Sequence, residues 1–351
     1  MSRRWRVLII LLVFSLTPLL VVTPLIYKEQ WLATGIALFT VIVVVILTAW
    51  WLSRSMTRPL QVMVDAVHQL AKGDFSARMN LATGDERDLL AKAFNEMVPQ
   101  LKEMMRMRRG LEMAQEVQQS LLPREIPDLP GLDIAATTLY CHETGGDYFD
   151  FFPCGKDCEG VAVVVGDVTG HGVAAALLMT TARALLRMRA VQVGTISEVV
   201  TSVNHQLTLD TYESGSFMTL FYLAVDQANR SLRWVRAGHD PAIFYDSTTD
   251  QFEELLGAGV ALGVEKDWHY EGNEKTGLET GQIIFLGTDG IWETRNVDGE
   301  MFGKQRLYEI IRASADKPAE IIKKTVLTAL TDFTGNISQE DDITIVVIKV
   351  I

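Results

Sequence analysis

Cysteine is scarce in this 351-residue chain, which has only Cys141, Cys154 and Cys158. An odd count without framework spacing excludes a disulfide-stapled secreted domain and fits a reducing compartment. Cys154 and Cys158 have the spacing C-x3-C, but a structural zinc site needs four ligands and no second cysteine pair exists. We therefore expect all three cysteines to be reduced thiols.

Positive charge is also in short supply, because 32 Lys and Arg stand against 44 Asp and Glu, a net charge of −12. Residues 1–60 carry six basic residues and one acid, so the rest of the chain is more acidic than the total suggests. Nucleic-acid binding requires clustered positive charge. The composition therefore predicts no nucleic-acid partner.

Two apolar runs, 7–26 and 32–52, are each long enough to cross a hydrocarbon core, which needs about 20 residues. A signal peptide is the alternative for the first run, but it lacks a small-residue cleavage site. Arginines flank the outer ends of both runs, which places both termini in the cytoplasm. Residues 1–52 are therefore predicted to form two transmembrane helices, and the five-residue connection between them is too short for a ligand-binding domain.

Two heptad-patterned segments follow, joined by an irregular connector at Gly73-Asp74-Phe75. Their apolar positions are Leu60, Val64, Val67 and Ala71 in the first segment, and Leu90, Phe94, Met97, Leu101 and Met104 in the second. Such a pair is typical of half a parallel coiled-coil bundle, in which a second chain buries the seam; packing on the same chain is the alternative. Residues 53–105 resemble a HAMP signal-relay domain. The resemblance rests on Arg58-Pro59-Leu60, the connector, Asp85-Glu86 and Ala93-Phe94-Asn95-Glu96-Met97.

Residues 106–130 are predicted to be a helical linker. Pro99 lies within the second heptad segment, where it removes an amide donor and is expected to kink the coil. An apolar stripe continues to Leu122-Pro123. We interpret the linker as a switch whose packing differs between two states, and a passive spacer is the alternative.

From residue 131 onward, short apolar runs alternate with two pairs of amphipathic segments, and parallel βαβ repetition is absent. The pattern predicts an α+β fold, an antiparallel β-sandwich flanked by helix pairs. Eight strands are predicted, at 133–139, 148–152, 160–165, 217–225, 231–236, 243–245, 282–286 and 343–349, with helices at 172–190, 196–211, 306–313 and 319–333.

Four acidic clusters framed by small residues lie in this region: Gly145-Gly146-Asp147-Tyr148, Gly166-Asp167-Val168-Thr169-Gly170-His171-Gly172, Thr288-Asp289-Gly290 and Asp341-Asp342-Ile343-Thr344. Two of them follow predicted strands and the fourth opens one. Carboxylates gathered at a sheet edge repel one another unless cations lie between them, and oxygen ligands suit Mg²⁺ or Mn²⁺. A single aspartate would be read as a turn or helix cap; four clusters predict a metal centre.

Residues 110–351 resemble the SpoIIE/RsbU-type metal-dependent serine/threonine phosphatases of the type 2C superfamily. The resemblance rests on the four clusters together with Gln118-x-x-Leu121-Leu122-Pro123, Phe217-Met218-Thr219, Ala237-Gly238-His239, Leu262-Gly263 and Phe302-Gly303. It implies two Mn²⁺ or Mg²⁺ ions and phosphoserine or phosphothreonine protein substrates. By position it implies that the metal ligands are Asp147, Asp167, the Val168 carbonyl, Asp289 and Asp341, with Asp342 the less suitable member of its pair.

The expected mechanism follows from the metals: two cations about 3.5–4 Å apart share a water and deliver hydroxide in line to phosphorus. No protein nucleophile is required. His171, four residues after Asp167, is either the general acid for the leaving serine oxygen or a turn residue. His239 is expected to be structural.

Two other enzyme classes are disfavoured because the chain lacks residues that their motifs require. Gly145-Gly146-Asp147-Tyr148-Phe149 resembles the GGDEF signature of diguanylate cyclases but lacks its glutamate, and that interpretation leaves the other three clusters without a role. A histidine kinase would need a phosphoacceptor histidine after the relay, and residues 104–122 contain none.

The sequence thus favours a membrane-anchored, multi-pass protein phosphatase (1–52 transmembrane, 53–105 HAMP, 106–130 linker, 131–351 phosphatase) of a bacterial inner membrane with a cytoplasmic catalytic domain. By resemblance, its expected substrate is a phosphoserine on a STAS-type anti-sigma-factor antagonist, and its expected assembly is a homodimer through the HAMP domain and linker. The alternative is a catalytically inactive sensor or scaffold that binds a partner through the same fold.

Overall fold

The computed structural model describes residues 31–154, 158–335, 337 and 339–351. The predicted first transmembrane span at 7–26 lies outside these residues. The chain divides into two compact units between residues 107 and 108.

In the first unit, helix α1 (Trp31–Leu52) continues through a π-helical turn (Ser53–Thr57) into α2 (Arg58–Ala71). Among the described residues one helical stretch, Gly35–Ala71, is long and apolar enough to cross a membrane, with a mean hydropathy of 2.5 over an 18-residue window. This stretch contains most of the second predicted span. By length and composition that span therefore has the character of a membrane helix.

The long helix α3 (Glu86–Leu121) packs against α2 through Met63 and Ala66 on α2 and Phe94 and Val98 on α3. The side chain of Asn95 holds the connector, since it both donates to and accepts from the backbone of Met79 at 2.9 Å. These contacts bury one face of the helix pair within a single chain.

Most of the predicted heptad seam lies outside that core. Leu60, Val64, Val67, Leu90 and Met97 are each about half exposed, while Phe94 is buried. Among the described residues, this apolar seam therefore remains uncovered. Helix α3 is not interrupted at Pro99.

The second unit is a four-layer sandwich of two five-stranded antiparallel sheets between two helix pairs. The first sheet has the order β1-β10-β9-β6-β7 and the second β2-β3-β4-β5-β8. The strands are β1 (Leu132–Leu139), β2 (Tyr148–Pro153), β3 (Gly160–Val168), β4 (Met218–Asp226), β5 (Ser231–Ala237), β6 (Ala242–Asp246), β7 (Gln251–Leu255), β8 (Asn273–Thr276), β9 (Ile283–Gly287) and β10 (Ile343–Val350). The helices are α4 (Val173–Ala190), α5 (Ile196–Thr211), α6 (Gly303–Ala313) and α7 (Ala319–Thr334).

The period-2 alternation of strand side chains builds these layers. On β3, Val161, Val163 and Val165 face the space between the two sheets. Ala162 and Val164 face the opposite way and pack against α4 and α5. Both faces of the strand are apolar, which is why it reads as a continuous valine run.

All eight predicted strands and all four predicted helices of this unit are present. Strands β7 and β8 were not predicted. Each lies at the edge of its sheet. Their side chains alternate between exposed and half-buried and include several acids, so they carry little apolar signal.

The expectation of three reduced thiols is wrong for two of them, because Cys154 and Cys158 form a disulfide, while Cys141 is free. Cys154 directly follows β2 and Cys158 precedes β3, and these strands pair antiparallel. The hairpin therefore brings the two Cα atoms to 5.5 Å, within disulfide range. Cysteine counting could not detect this, since the proximity comes from strand pairing.

Candidate metal centre

The four acidic clusters come from two strand pairs, one in each sheet. Asp147 immediately precedes β2, and Asp167 lies near the end of β3; the register pairs Tyr148 with Gly166. In the other sheet, Asp289 follows β9 and Asp341 precedes β10, which are also antiparallel neighbours. In each sheet, therefore, the end of one strand lies beside the start of its antiparallel neighbour, and the aspartates gather at these strand ends.

A threonine joins the two sheets at this edge. The Thr288 hydroxyl donates to Oδ2 of Asp147 at 2.8 Å, and it accepts the Thr344 amide at 3.0 Å. Thr288 and Asp147 are both buried. The sequence motif contained Thr288 but gave no role for it, because this bond depends on how the two sheets stack.

The carboxylates raise one another's pKa. Burial and the charge of Asp167 raise the pKa of Asp147, partly offset by hydrogen bonds from threonines. Burial and the charge of Asp289, followed by Asp341, raise the pKa of Asp167 to about 7. Burial and the charge of Asp341 raise the pKa of Asp289 to about 6. The site thus concentrates negative charge that a cation would neutralise.

The two aspartates of the fourth cluster have different surroundings. Asp342 is buried, and its carboxylate accepts the backbone amides of Cys141 and Gly146, each at 2.9 Å. Asp341 is exposed, and its Oδ1 accepts only the Asp342 amide at 2.8 Å among the bonds in the described chain. Asp342 fastens the loop before β2, while Asp341 has acceptor capacity left for a ligand.

Close backbone approach explains two of the glycines. A Cβ at Gly146 would lie 2.7 Å from the carbonyl oxygen of Val168, and a Cβ at Gly290 would overlap the carbonyl oxygen of Asp342. Any side chain at Gly146 would therefore separate the loop of Asp147 from the end of β3.

His171 lies on an exposed turn directly before α4, between Gly170 and Gly172, both with positive φ. Its ring stacks on His142 at a centroid distance of 4.7 Å. Nδ1 of His142 in turn lies 3.0 Å from Sγ of Cys141. His142 was missed by sequence reasoning because it belongs to no motif.

His239 is buried, and burial lowers its pKa to about 4, so the ring is neutral. Nδ1 lies 2.7 Å from the hydroxyl of Thr219, and Nε2 lies 3.2 Å from the carbonyl of Gly287. Thr219 is paired with Asp167 in the sheet register. His239 therefore connects the strand beside Asp167 to the end of β9, just before Thr288 and Asp289.

The positive charge of Lys304 lies beside the carboxylate of Asp240, the residue after His239. The charge of Asp240 contributes to the raised pKa of Asp289. Nζ of Lys304 lies 3.1 Å from Asp240 and 3.0 Å from Glu254. Sequence reasoning assigned Lys304 no role.

In the described part of the chain, no three His, Cys, Asp or Glu side chains are placed to hold one ion as they stand. The donor set nevertheless fits Mg²⁺ or Mn²⁺. Its side-chain donors are all carboxylate oxygens, which suit hard cations. Burial and mutual repulsion of these carboxylates are the conditions that a bound cation relieves.

Comparison with known proteins agrees with this architecture. Residues 157–351 match the family model described as Stage II sporulation protein E (SpoIIE). The chain belongs to the SpoIIE family. Residues 51–103 match the HAMP domain model, so the HAMP domain identified from its motifs is confirmed.

Curated relatives of this SpoIIE-family chain include protein IcfG of Synechocystis sp., 27% identical over 341 residues, with 87% of this chain and 53% of IcfG covered. The phosphoserine phosphatase RsbU of Bacillus subtilis is 28% identical over 242 residues, with 68% of this chain and 69% of RsbU covered. The chain spans about half the length of IcfG.

Among solved structures, the SiaA-PP2C domain of Pseudomonas aeruginosa has a TM-score of 0.62 at 24% identity, covering 70% of this chain and 98% of that domain. The RsbU and RsbW domains of Rv1364c from Mycobacterium tuberculosis have a TM-score of 0.56 at 26% identity, covering 66% of this chain and 63% of that chain. The PP2C-like α+β fold predicted from the sequence is confirmed.

Proposed function

We propose that this chain is a membrane-anchored protein serine/threonine phosphatase that hydrolyses phosphoserine in a signalling partner. The observation that carries the proposal is the meeting of two strand pairs, one from each sheet, at an end where burial and neighbouring carboxylates raise the pKa of Asp147, Asp167 and Asp289. Such carboxylate clusters are typical of metal-assisted phosphate-ester hydrolysis. The family membership supports the same reaction class.

Asp147, Asp167, the Val168 carbonyl, Asp289 and Asp341 are the groups that would hold two Mn²⁺ or Mg²⁺ ions. When bound, such ions activate water and offset the charge of the phosphate. The chain itself fixes the ligands: Thr288 orients the Asp147 carboxylate, and Asp342 anchors the loop before it. These bonds hold the carboxylates in place before substrate arrives.

His171 is the candidate donor of a proton to the leaving serine oxygen. It is exposed on the turn that joins β3 to α4, four residues after Asp167. The stacked ring of His142 restricts the orientation of the His171 ring. A protonated imidazole in this place would assist departure of the alcohol.

The substrate class is proposed from the relatives. RsbU and RsbP of Bacillus subtilis are both called phosphoserine phosphatases. By this likeness the substrate is a phosphoserine, and we propose from the family resemblance that a STAS-type antagonist of an anti-sigma factor carries it. Purified enzyme with Mn²⁺ that left such a protein intact, while dephosphorylating other phosphoserine proteins, would contradict this assignment.

We further propose that α1 anchors a homodimer in a bacterial inner membrane, with the phosphatase unit in the cytoplasm. Three observations support this: α1 is apolar, the HAMP domain follows it directly, and the seam of α2 and α3 is exposed in the single chain. Through this seam and the linker, the relay would control the phosphatase. Deleting residues 1–105 should then change the basal rate, and equal rates would contradict a switch role.

The test of the reaction is hydrolysis of p-nitrophenyl phosphate by the full chain with Mn²⁺, with EDTA, and with Asp289→Asn. We expect turnover that requires Mn²⁺ and is lost in the variant. Turnover that persists in EDTA would contradict the metal centre. Bound Mn²⁺ without turnover, in the full chain and in residues 106–351 alike, would favour an inactive scaffold.

A further inference from the structure

A cavity of about 360 Å³ opens beside the carboxylates, between Asp341 and helix α7. Its lining includes the apolar side chains of Leu139, Leu327 and Leu330, which we call the floor of the cavity. Leu139, at the end of β1, is 41% exposed, although it is a large apolar side chain. A floor of this kind binds the aliphatic part of a ligand.

The mouth of the cavity is acidic. Glu293 and Glu340 line it and are exposed, and neither carboxylate has a hydrogen bond or ion pair within the described residues. Arg295 also lines the cavity, and its Nη1 donates to the carbonyl of Gly299 at 2.9 Å. The lining therefore has three carboxylates, of Glu293, Glu340 and Asp341, and one guanidinium, which leaves it acidic. Among the described residues, two carboxylates without a partner therefore line the same cavity as the apolar floor.

This combination matches one side-chain chemistry. Lys and Arg pair an aliphatic stem, which can lie on apolar surface, with a cationic head, which seeks carboxylates. An acidic side chain would meet like charge at the mouth, and a short apolar one would leave both carboxylates without a partner. Complementary charge at such a position selects among partners.

The cavity is also close to the reacting centre. Asp341 and Gly290 line it. Glu293, which also lines it, lies one turn after Asp289, since the Glu293 amide donates to the Asp289 carbonyl at 2.8 Å. A side chain bound in the cavity would therefore belong to a residue near the phosphoserine in the substrate.

We propose that this cavity is a specificity subsite that binds a Lys or Arg side chain flanking the phosphoserine of the protein substrate. The subsite rests on the proposed phosphatase function. It adds a sequence preference that the metal centre alone does not provide, since that centre contacts only the phosphate group.

The test uses the full chain in detergent with phosphoserine peptides that carry Arg, Ala or Glu at each flanking position in turn. We expect Arg to raise kcat/KM over Ala by roughly fivefold at one or two positions, the scale of an ion pair at a partly exposed site. Glu at those positions should lower it. The Arg-to-Ala ratio cancels any change in basal turnover.

Two variants should bring the Arg-to-Ala ratio close to one. Glu340→Gln removes a mouth carboxylate while keeping the cavity, and Thr331→Arg places a cation at the mouth. The matched control is Asp332→Asn, an exposed carboxylate on the same helix that does not line the cavity. It should keep the wild-type ratio.

Binding of the same peptides, measured by fluorescence anisotropy, tests the subsite without turnover. If the wild-type chain showed no Mn²⁺-dependent hydrolysis of p-nitrophenyl phosphate, the proposed function would be contradicted. In that case a preference for Arg peptides in the binding measurement would still support the subsite. Equal binding and equal kcat/KM for Arg, Ala and Glu peptides would overturn it. So would an Arg preference that is unchanged in both variants.

Discussion

The side-chain amide of Gln118 is hydrogen-bonded in both directions to the backbone of Gly145. Nε2 donates to the Gly145 carbonyl at 2.7 Å, and Oε1 accepts the Gly145 amide at 3.2 Å. Gln118 is 3% exposed, so water does not compete for these bonds. Because Gly145 is two residues before Asp147, the end of α3 is tied to the loop that carries the first candidate metal ligand.

Replacing Gln118 by leucine should therefore weaken both the fold and the metal site. Leu is similar in size but leaves the Gly145 amide and carbonyl without partners, at a cost of about 1–3 kcal/mol for each group. We expect a lower Tm and a higher Mn²⁺ concentration for half-maximal hydrolysis of p-nitrophenyl phosphate. Gln119→Leu, at an exposed neighbouring position, is the control. Identical Mn²⁺ curves for Gln118→Leu and wild type would show that the link does not reach the metal site.

Asp341→Asn and Asp342→Asn should separate a metal ligand from a structural carboxylate. Asp342 accepts two backbone amides in a buried place, so the neutral amide should lower the free energy of unfolding, by about 1–3 kcal/mol. Asp341 is exposed, and replacing it removes a charge that repels Asp167 and Asp289, so Tm in EDTA should not fall, while Mn²⁺ binding measured by calorimetry should weaken. The reverse pattern would reassign the ligand to Asp342.

The residues that sequence reasoning could place are those with a strong local signal. The valine run of β3 and the aspartate after it predict both a buried strand and a carboxylate at its end. The hydrogen-bond partners of these residues could not be predicted from the sequence. Thr288 and Asp147 are 141 residues apart and meet only because the two sheets stack in one particular way.

Other omissions have a different physical origin. Strand β7 is polar and lies at a sheet edge, so neither alternation nor apolarity marks it. His142 has no motif and gains its place through the stacked ring of His171. The cavity beside Asp341 combines α7 with the ends of β1 and β10, a juxtaposition that no single segment encodes.

The metal-free protein should lose stability as pH rises from 6.5 to 8. The pKa of Asp167 is raised to about 7 and that of Asp289 to about 6, against about 3.9 in the unfolded chain. The folded state therefore binds more protons than the unfolded state up to about pH 7, and stability falls as pH rises through that range.

The interval above pH 6.5 isolates this effect. The lowered pKa of His239, about 4, acts in the opposite direction below its unfolded value of about 6.5. Calorimetric Tm in EDTA should fall between pH 6.5 and 8, and Mn²⁺ should remove the fall because it favours ionised carboxylates. Asp167→Asn should flatten the curve. A wild-type Tm in EDTA that is constant or rises over this interval would contradict the repulsion.

His239→Leu should disturb the metal site through its neighbours. The change removes the bonds to Thr219 and Gly287, leaving a half-buried hydroxyl and a buried carbonyl with fewer partners. We expect a loss of about 1–3 kcal/mol of stability and weaker Mn²⁺ binding. His239→Gln, which can still bond to one of the two groups, should recover part of both. His205→Leu, an exposed histidine, is the control. Normal Mn²⁺ affinity in His239→Leu would limit His239 to a role in folding.

Val67→Glu should separate the two interpretations of the relay. Val67 is 49% exposed in the single chain and lies on the uncovered seam of α2. In a parallel bundle, two glutamates would face each other in an apolar interface, at a cost on the order of 3 kcal/mol or more. Light scattering of the full chain in detergent should then show dissociation of a dimer, with the Tm of the phosphatase unit unchanged. Gln69→Glu adds the same charge at an exposed position off the seam and should remain dimeric. A dimer that survives Val67→Glu would mean that this face is not the contact between copies.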